Sequence, residues 1–163
     1  MAFVVQNDAG TAENANAYVT VEELRAYWED RGVFLTTWGD IECQAAIVKA
    51  SQYIDIRFTY MGLRTEGDDQ PTEWPRTVAT TIPNGVKWAC CEYAYHSANV
   101  PLTVQAQSSD RLIVKERKKL SVMETEIEYA GGKSSQRFNV YTVADSLLQR
   151  TGFVSNSGGC IRA

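Results

Sequence analysis

The sequence predicts a mainly α fold, a small helical bundle of three to four helices carrying a β-hairpin and extended N- and C-terminal arms. Three observations carry that expectation. A capped helix start follows residue 19. Apolar residues recur at spacings of three and four over 41–58 and again over 83–98. Between 111 and 129 the pattern changes to alternation, the period of a strand. A chain of 163 residues is the size of one domain. The expected organisation is a helical-bundle domain over 1–150, with an inserted loop at 60–82 and a hairpin at 111–130, then a flexible tail over 151–163.

Residues 1–19 are rich in Asn, Gly and Ala and show no helical stripe before Tyr18, so an extended arm is expected. In the segment that follows, Thr20 can cap a helix and Glu23, three residues on, can reach back as a capping box. Val19 and Leu24 occupy the staple positions of that motif. Val21, Leu24, Tyr27 and Trp28 share a face, and Gly32 ends the helix. A second helix is expected from after Asp40 to about Phe58, with Cys43, Ile47, Ala50, Ile54 and Phe58 on one side.

The loop at 60–82 is long for a compact domain, and Gly67–Pro71 is its expected flexible tip. Trp74-Pro75-Arg76 is expected to dock, either as a plug over one end of the core or against a partner. Pro83 suits the first position of a third helix that runs to about Ala98. Val86, Cys90, Tyr93 and Ser97 form one side of it; Trp88, Cys91 and Tyr95 form another. Because this helix is apolar nearly all round, a neighbouring subunit is expected to cover its second side. Trp88, Cys91, Tyr95, Trp74 and Arg76 are therefore the candidate subunit-interface residues.

Two strands, about 111–118 and 122–129, are expected to pair. The first carries Lys115, Arg117, Lys118 and Lys119, and the second Glu124, Glu126 and Glu128. Opposite charges across the pair would set the register and keep an exposed ribbon soluble. After Gly131-Gly132, a short last helix is expected with Thr142 as its cap, Asp145 at its third position, and Leu147 and Leu148 as its grip. The segment beyond Gly152 has too little apolar content to fold alone.

Composition narrows the function classes. A 44% hydrophobic and 22% charged chain is that of a globular protein and not a disordered one. No apolar run approaches the roughly 20 residues that a bilayer requires, and Ala2–Val5 lacks the features of a signal peptide, so folding in the cytoplasm is expected. Cys43, Cys90, Cys91 and Cys160 show no metal-binding or redox spacing and are expected as free thiols. His96 is alone, and no nucleophile elbow, phosphate loop, HExxH pair or dinucleotide fingerprint occurs. No catalytic residue, metal site or cofactor is expected. A row of alternating glutamates on a strand is more often a solvated face than a cation site. The net charge of −4 does not suit a protein that gains its affinity by neutralising many phosphates.

The succession Asn16-Ala17-Tyr18-Val19-Thr20-Val21, Tyr27-Trp28 and Arg31-Gly32 is followed by QAAIVKASQYID at 44–55 and by Arg57 and Gly62. Trp74-Pro75-Arg76, Ile82-Pro83, VKWACCEYAY at 86–95, VKERKK and ETEIEYA come next. Over about residues 14–150 this order resembles the head–tail connector proteins of tailed bacteriophages. That resemblance implies a non-enzymatic neck adaptor in the virion, assembled in the host cytoplasm. Its partners would be itself, as a ring of twelve copies, the portal protein, and a tail, tail-terminator or nozzle protein. Genomic DNA would pass through the lumen without specific binding, and no membrane would be involved. The tail residues Thr151, Gly152, Phe153, Val154, Gly158, Gly159, Ile161 and Arg162 would enter the portal. The alternative, of a different class, is a DnaT-like single-stranded-DNA-binding protein. In that case the run at 115–119 would meet phosphates while aromatic residues stack on bases.

Overall fold

The computed structural model describes residues 2–104, 113–119, 124–129, 137–138 and 141–155. Within them the chain forms helices α1 (Val21–Glu29), α2 (Asp40–Arg57), α3 (Asn84–Asn99) and α4 (Thr142–Gln149). Six short strands accompany them: β1 (Thr59–Tyr60), β2 (Thr103–Val104), β3 (Ile113–Lys119), β4 (Glu124–Tyr129), β5 (Arg137–Phe138) and β6 (Val154–Ser155). The fold is a mainly helical bundle with a hairpin. Residues 1–102 with 140–163 form one compact unit, and residues 103–139 form another.

α1 begins where its local chemistry says it should. Thr20 Oγ1 accepts from the Glu23 N–H at 3.1 Å, and Glu23 Oε2 accepts from the Thr20 N–H at 2.8 Å. Such a cap is worth about 1 kcal/mol. Val21, Leu24, Tyr27 and Trp28 are its buried face. α2 buries Cys43, Ile47, Ala50 and Ile54, the expected stripe, and adds Ala46, Ser51 and Tyr53. Its last expected member, Phe58, is only half-buried, because it is the cap residue where the backbone turns extended.

α3 is the centre of the bundle. It packs against α1, α2 and α4, so of the second apolar side the chain itself covers Cys91 and part of Tyr95 and leaves Trp88 half-exposed. Cys91 is buried beneath α1, where its carbonyl accepts from Trp28 Nε1 at 3.2 Å. Gly85 allows α4 to come close, since a Cβ there would lie 2.7 Å from the Leu147 carbonyl oxygen. Pro83 is the cap of α3 and not its first helical residue, and Tyr141 takes that place before α4. Thr142 therefore starts α4, and Asp145 does not reach back to cap it, because its carboxylate is engaged elsewhere. Arg57 donates to Asp145 Oδ1 and Oδ2 at 3.0 and 2.9 Å and to the Tyr53 hydroxyl at 2.6 Å, while the Tyr93 hydroxyl donates to Asp145 Oδ1. This network ties α2, α3 and α4, and burial pushes the Tyr53 hydroxyl up to about 12. Removing one partner of such a buried pair costs about 3–5 kcal/mol.

The segments without regular structure are well anchored. Residues 2–19, expected as an extended arm, instead turn back on themselves so that Val5 bridges Ala17, and Ala15, Ala17, Tyr18 and Val19 are buried. Polar side chains hold them: Asn16 Oδ1 accepts from the Val4 N–H, Gln6 Oε1 from the Ala12 N–H, and Ser51 Oγ from the Tyr18 N–H. The expected flexible tip at 67–71 is instead a 3-10 turn, Gly67–Asp69, followed by a buried Gln70. Gln70 Nε2 donates to the carbonyls of Thr72 and Pro75 at 2.8 and 3.0 Å, which explains why the loop is pinned there. Trp74 is fully buried against Tyr60 and Phe153 and is the plug. β6 pairs with β1, so residues 151–155 belong to the folded unit and not to a loose tail. Met61 N–H donates to the Phe153 carbonyl at 2.8 Å beside that pair.

In the second unit β2 pairs with β5 and β3 with β4, all antiparallel. Lys115 lies opposite Glu128, Arg117 opposite Glu126, and Lys119 opposite Glu124. A bulge between Ile113 and Lys115 shifts the register at the start of β3.

Candidate nucleic-acid interface

Aromatic side chains in the first unit fall into two sets. Most are consumed by packing. Trp28 packs tilted on Tyr95 with ring centres 4.4 Å apart, Tyr95 stacks on Trp38 at 5.8 Å, and His96 packs tilted on Tyr141 at 4.7 Å. Trp88 is different: it stands on the outer side of α3, 46% exposed. It borders a groove of about 370 Å³ between α1 and α3, whose other walls include Tyr27, Arg31, Asn84 and Lys87.

The floor of this groove is fixed. The Tyr27 hydroxyl donates to Glu92 Oε1 at 2.7 Å, and burial together with that carboxylate pushes the phenol well above its ordinary value. The Arg31 guanidinium lies 3.5 Å from the centre of the Tyr27 ring, and Arg31 also donates to the Tyr27 carbonyl at 2.8 Å. Lys87 Nζ is 3.6 Å from Glu23 Oε1, a long and solvent-exposed pairing that a stronger anion can displace. An exposed indole beside two cations can stack on a planar base while the cations meet phosphate oxygens. Glu23 and Asp30 also line the groove and limit its positive potential. A second groove of about 440 Å³ lies by Trp38, Lys49, Ser97 and Asn99 and offers one cation.

Of the residues singled out for a subunit interface, Trp74, Arg76 and Cys91 are buried within the chain and Tyr95 is half-buried in its aromatic stack. Arg76 spans the loop, donating to the Met61 carbonyl at 2.9 Å and pairing with Glu73. Only Trp88 offers a large free face. Of the tail residues, Thr151 donates to the Leu148 carbonyl at 2.6 Å, Gly152 has a φ of +75°, Phe153 packs on Trp74, and Val154 pairs with Tyr60. Gly158, Gly159, Ile161 and Arg162 lie outside the described residues, as does Cys160. Lys115, Arg117 and Lys119 pair in register with glutamates, and Lys118 with Thr125. The two strands together carry four basic and four acidic residues, so the run at 115–119 is not a basic patch on its own. Sequence reasoning missed Arg31 and Lys87 because neither stands in a charge run; Lys87 precedes Trp88 in the chain, and the fold brings Arg31 to the same groove.

The segments that carried the connector resemblance prove to be fold-determining. Thr20 caps α1, Ala17 and Tyr18 fill the core, Trp74 plugs it, and VKWACCEYAY is the central helix. Such residues specify a bundle and not its partner. No curated protein and no solved structure matches the chain. One family model does, over residues 1–163, and its description is "Putative DnaT-like ssDNA binding protein". This match overturns the head–tail connector assignment, and with it the function of a neck adaptor. The chain belongs to the DnaT-like ssDNA-binding protein family.

Proposed function

We propose that this protein binds single-stranded DNA, with Trp88 as the stacking platform and Lys87 and Arg31 as the phosphate contacts. The half-exposed Trp88 in a groove that Lys87 and Arg31 also line is the observation that carries the assignment, and membership of the family supports it. A base laid on the indole gains about 1–3 kcal/mol, largely independent of its identity. The binding is therefore tolerant of sequence. It is also modest, because a chain with a net charge of −4 gathers few phosphates.

Fluorescence anisotropy with a labelled oligothymidine tests this. Trp88→Ala should weaken binding about tenfold or more, since stacking contributes about 1–3 kcal/mol per base. Two phosphate contacts should give a slope of log K against log salt of about −1.4, at about −0.7 per contact on a single strand. Replacing Lys115, Arg117, Lys118 and Lys119 by Ala should change affinity less than Trp88→Ala does. An affinity unmoved by Trp88→Ala in a folded variant would remove the groove from consideration.

A further inference from the structure

The hairpin has an asymmetry that DNA binding in the α1–α3 groove does not use. β3 carries four basic residues and one acidic, whereas β4 carries three acidic residues and no basic one. Among the described residues these two strands form a two-stranded sheet, so each has one partner and one free edge. A free edge presents unpaired backbone N–H and C=O groups and is a template for another strand. A two-stranded ribbon is also marginally stable in water, and additional strands stabilise it.

We propose that the ribbon joins one copy of this chain to the next, head to tail, with β3 of one copy pairing antiparallel with β4 of another. Charge selects this arrangement. Pairing β3 with a second β3 sets lysines and arginine against each other, and pairing β4 with a second β4 sets glutamates against glutamates. Like charges directly opposed on neighbouring strands are destabilising. β3 against β4 repeats the register that the ribbon already uses within one chain, where Lys115, Arg117 and Lys119 lie opposite Glu128, Glu126 and Glu124. The charged edges thus guard against same-strand pairing while leaving the unlike pairing open. A contact between two different edges is heterologous, so its geometry does not stop at a two-fold dimer.

Sedimentation velocity of the full chain without DNA tests the proposal. The wild type should associate with rising concentration, and association should weaken between about 0.01 M and about 1 M salt, where screening shortens from about 30 Å to about 3 Å. Reversing β3 (Lys115→Glu, Arg117→Glu, Lys119→Glu) or β4 (Glu124→Lys, Glu126→Lys, Glu128→Lys) should weaken self-association about tenfold or more. Each reversal also strains its own ribbon, so the deciding sample mixes the two variants, with circular dichroism checking that both bundles are folded. The first variant then has two acidic strands and the second two basic ones, and the mixture should associate where neither does alone. A wild type that stays monomeric at low salt overturns the proposal, as does a mixture that does not associate. Association that appears only with oligonucleotide present, and survives reversal of β4, also overturns it and places nucleic acid on β3.

Discussion

Asp55 lies on α2 facing Tyr18, whose hydroxyl donates to Asp55 Oδ1 and in turn accepts from the Trp74 N–H at 3.3 Å. Burial pushes the Asp55 carboxyl up to about 7, against the stabilising hydrogen bond from Tyr18. An unfolded aspartate titrates near about 4. The folded state therefore holds this proton more tightly than the unfolded chain does. The contribution to stability is full below about pH 4 and is lost as pH rises towards about 7. Asp55→Asn, which cannot ionise, should flatten that part of the stability profile. Urea denaturation of both proteins at about pH 4, 5.5 and 7 measures it. A wild type whose stability is level or rising relative to Asp55→Asn across this range would contradict the account. Little of this was legible from the sequence. Asp55 reads as one polar position on an amphipathic helix, and its environment is supplied by residues 37 positions earlier and 18 positions later, counted from the Tyr18 and Glu73 partners.

At the scale of elements, the approach of α3 and α4 depends on Gly85. A methyl group there meets the Leu147 carbonyl oxygen and Thr151 Cγ2, each at 2.7 Å. One of these is backbone and cannot rotate away. Gly85→Ala should therefore displace α4 and cost about 1–3 kcal/mol, the usual penalty for overpacking, despite the better helix propensity of alanine. A thermal melt shows the sign; a variant at least as stable as wild type would mean that α4 yields freely. The helices themselves were readable in advance, because the capping box at Thr20 and Glu23, the stripe of α2 and the apolar surround of α3 are all local patterns. The alternation that marks β3 and β4 was local too. What failed to announce itself was the anchoring of irregular chain. Gln6, Asn16 and Gln70 bond backbone groups at non-repeating separations, which leaves no period to find. β1 and β6, two residues each, are too short to alternate.

At the scale of the whole molecule, charge is unevenly shared along the chain. Residues 103–139 carry seven basic and five acidic residues, and the remainder carries nine basic and fifteen acidic. An overall charge of −4 hides this division, which is why composition alone pointed away from nucleic acid. The order of short motifs misled for a related reason: it records how a bundle is built, and bundles of one construction serve unlike partners.

α3 sits at the middle of that bundle and carries Cys90 and Cys91, while Cys43 lies on α2 near Arg25 of α1; all three are free and buried. Burial pushes the Cys90 thiol up to about 12 and raises Cys91 and Cys43 as well. Thiolate, the reactive form, is thus nearly absent while the helices stay closed. In a Cys160→Ser background, alkylation by iodoacetamide should proceed only as fast as the bundle breathes apart, and oligothymidine bound in the groove should slow it. Mass spectrometry of the labelled chain would time that breathing directly, and labelling as quick as that of a free peptide thiol would mean the helices part far more readily than their packing implies.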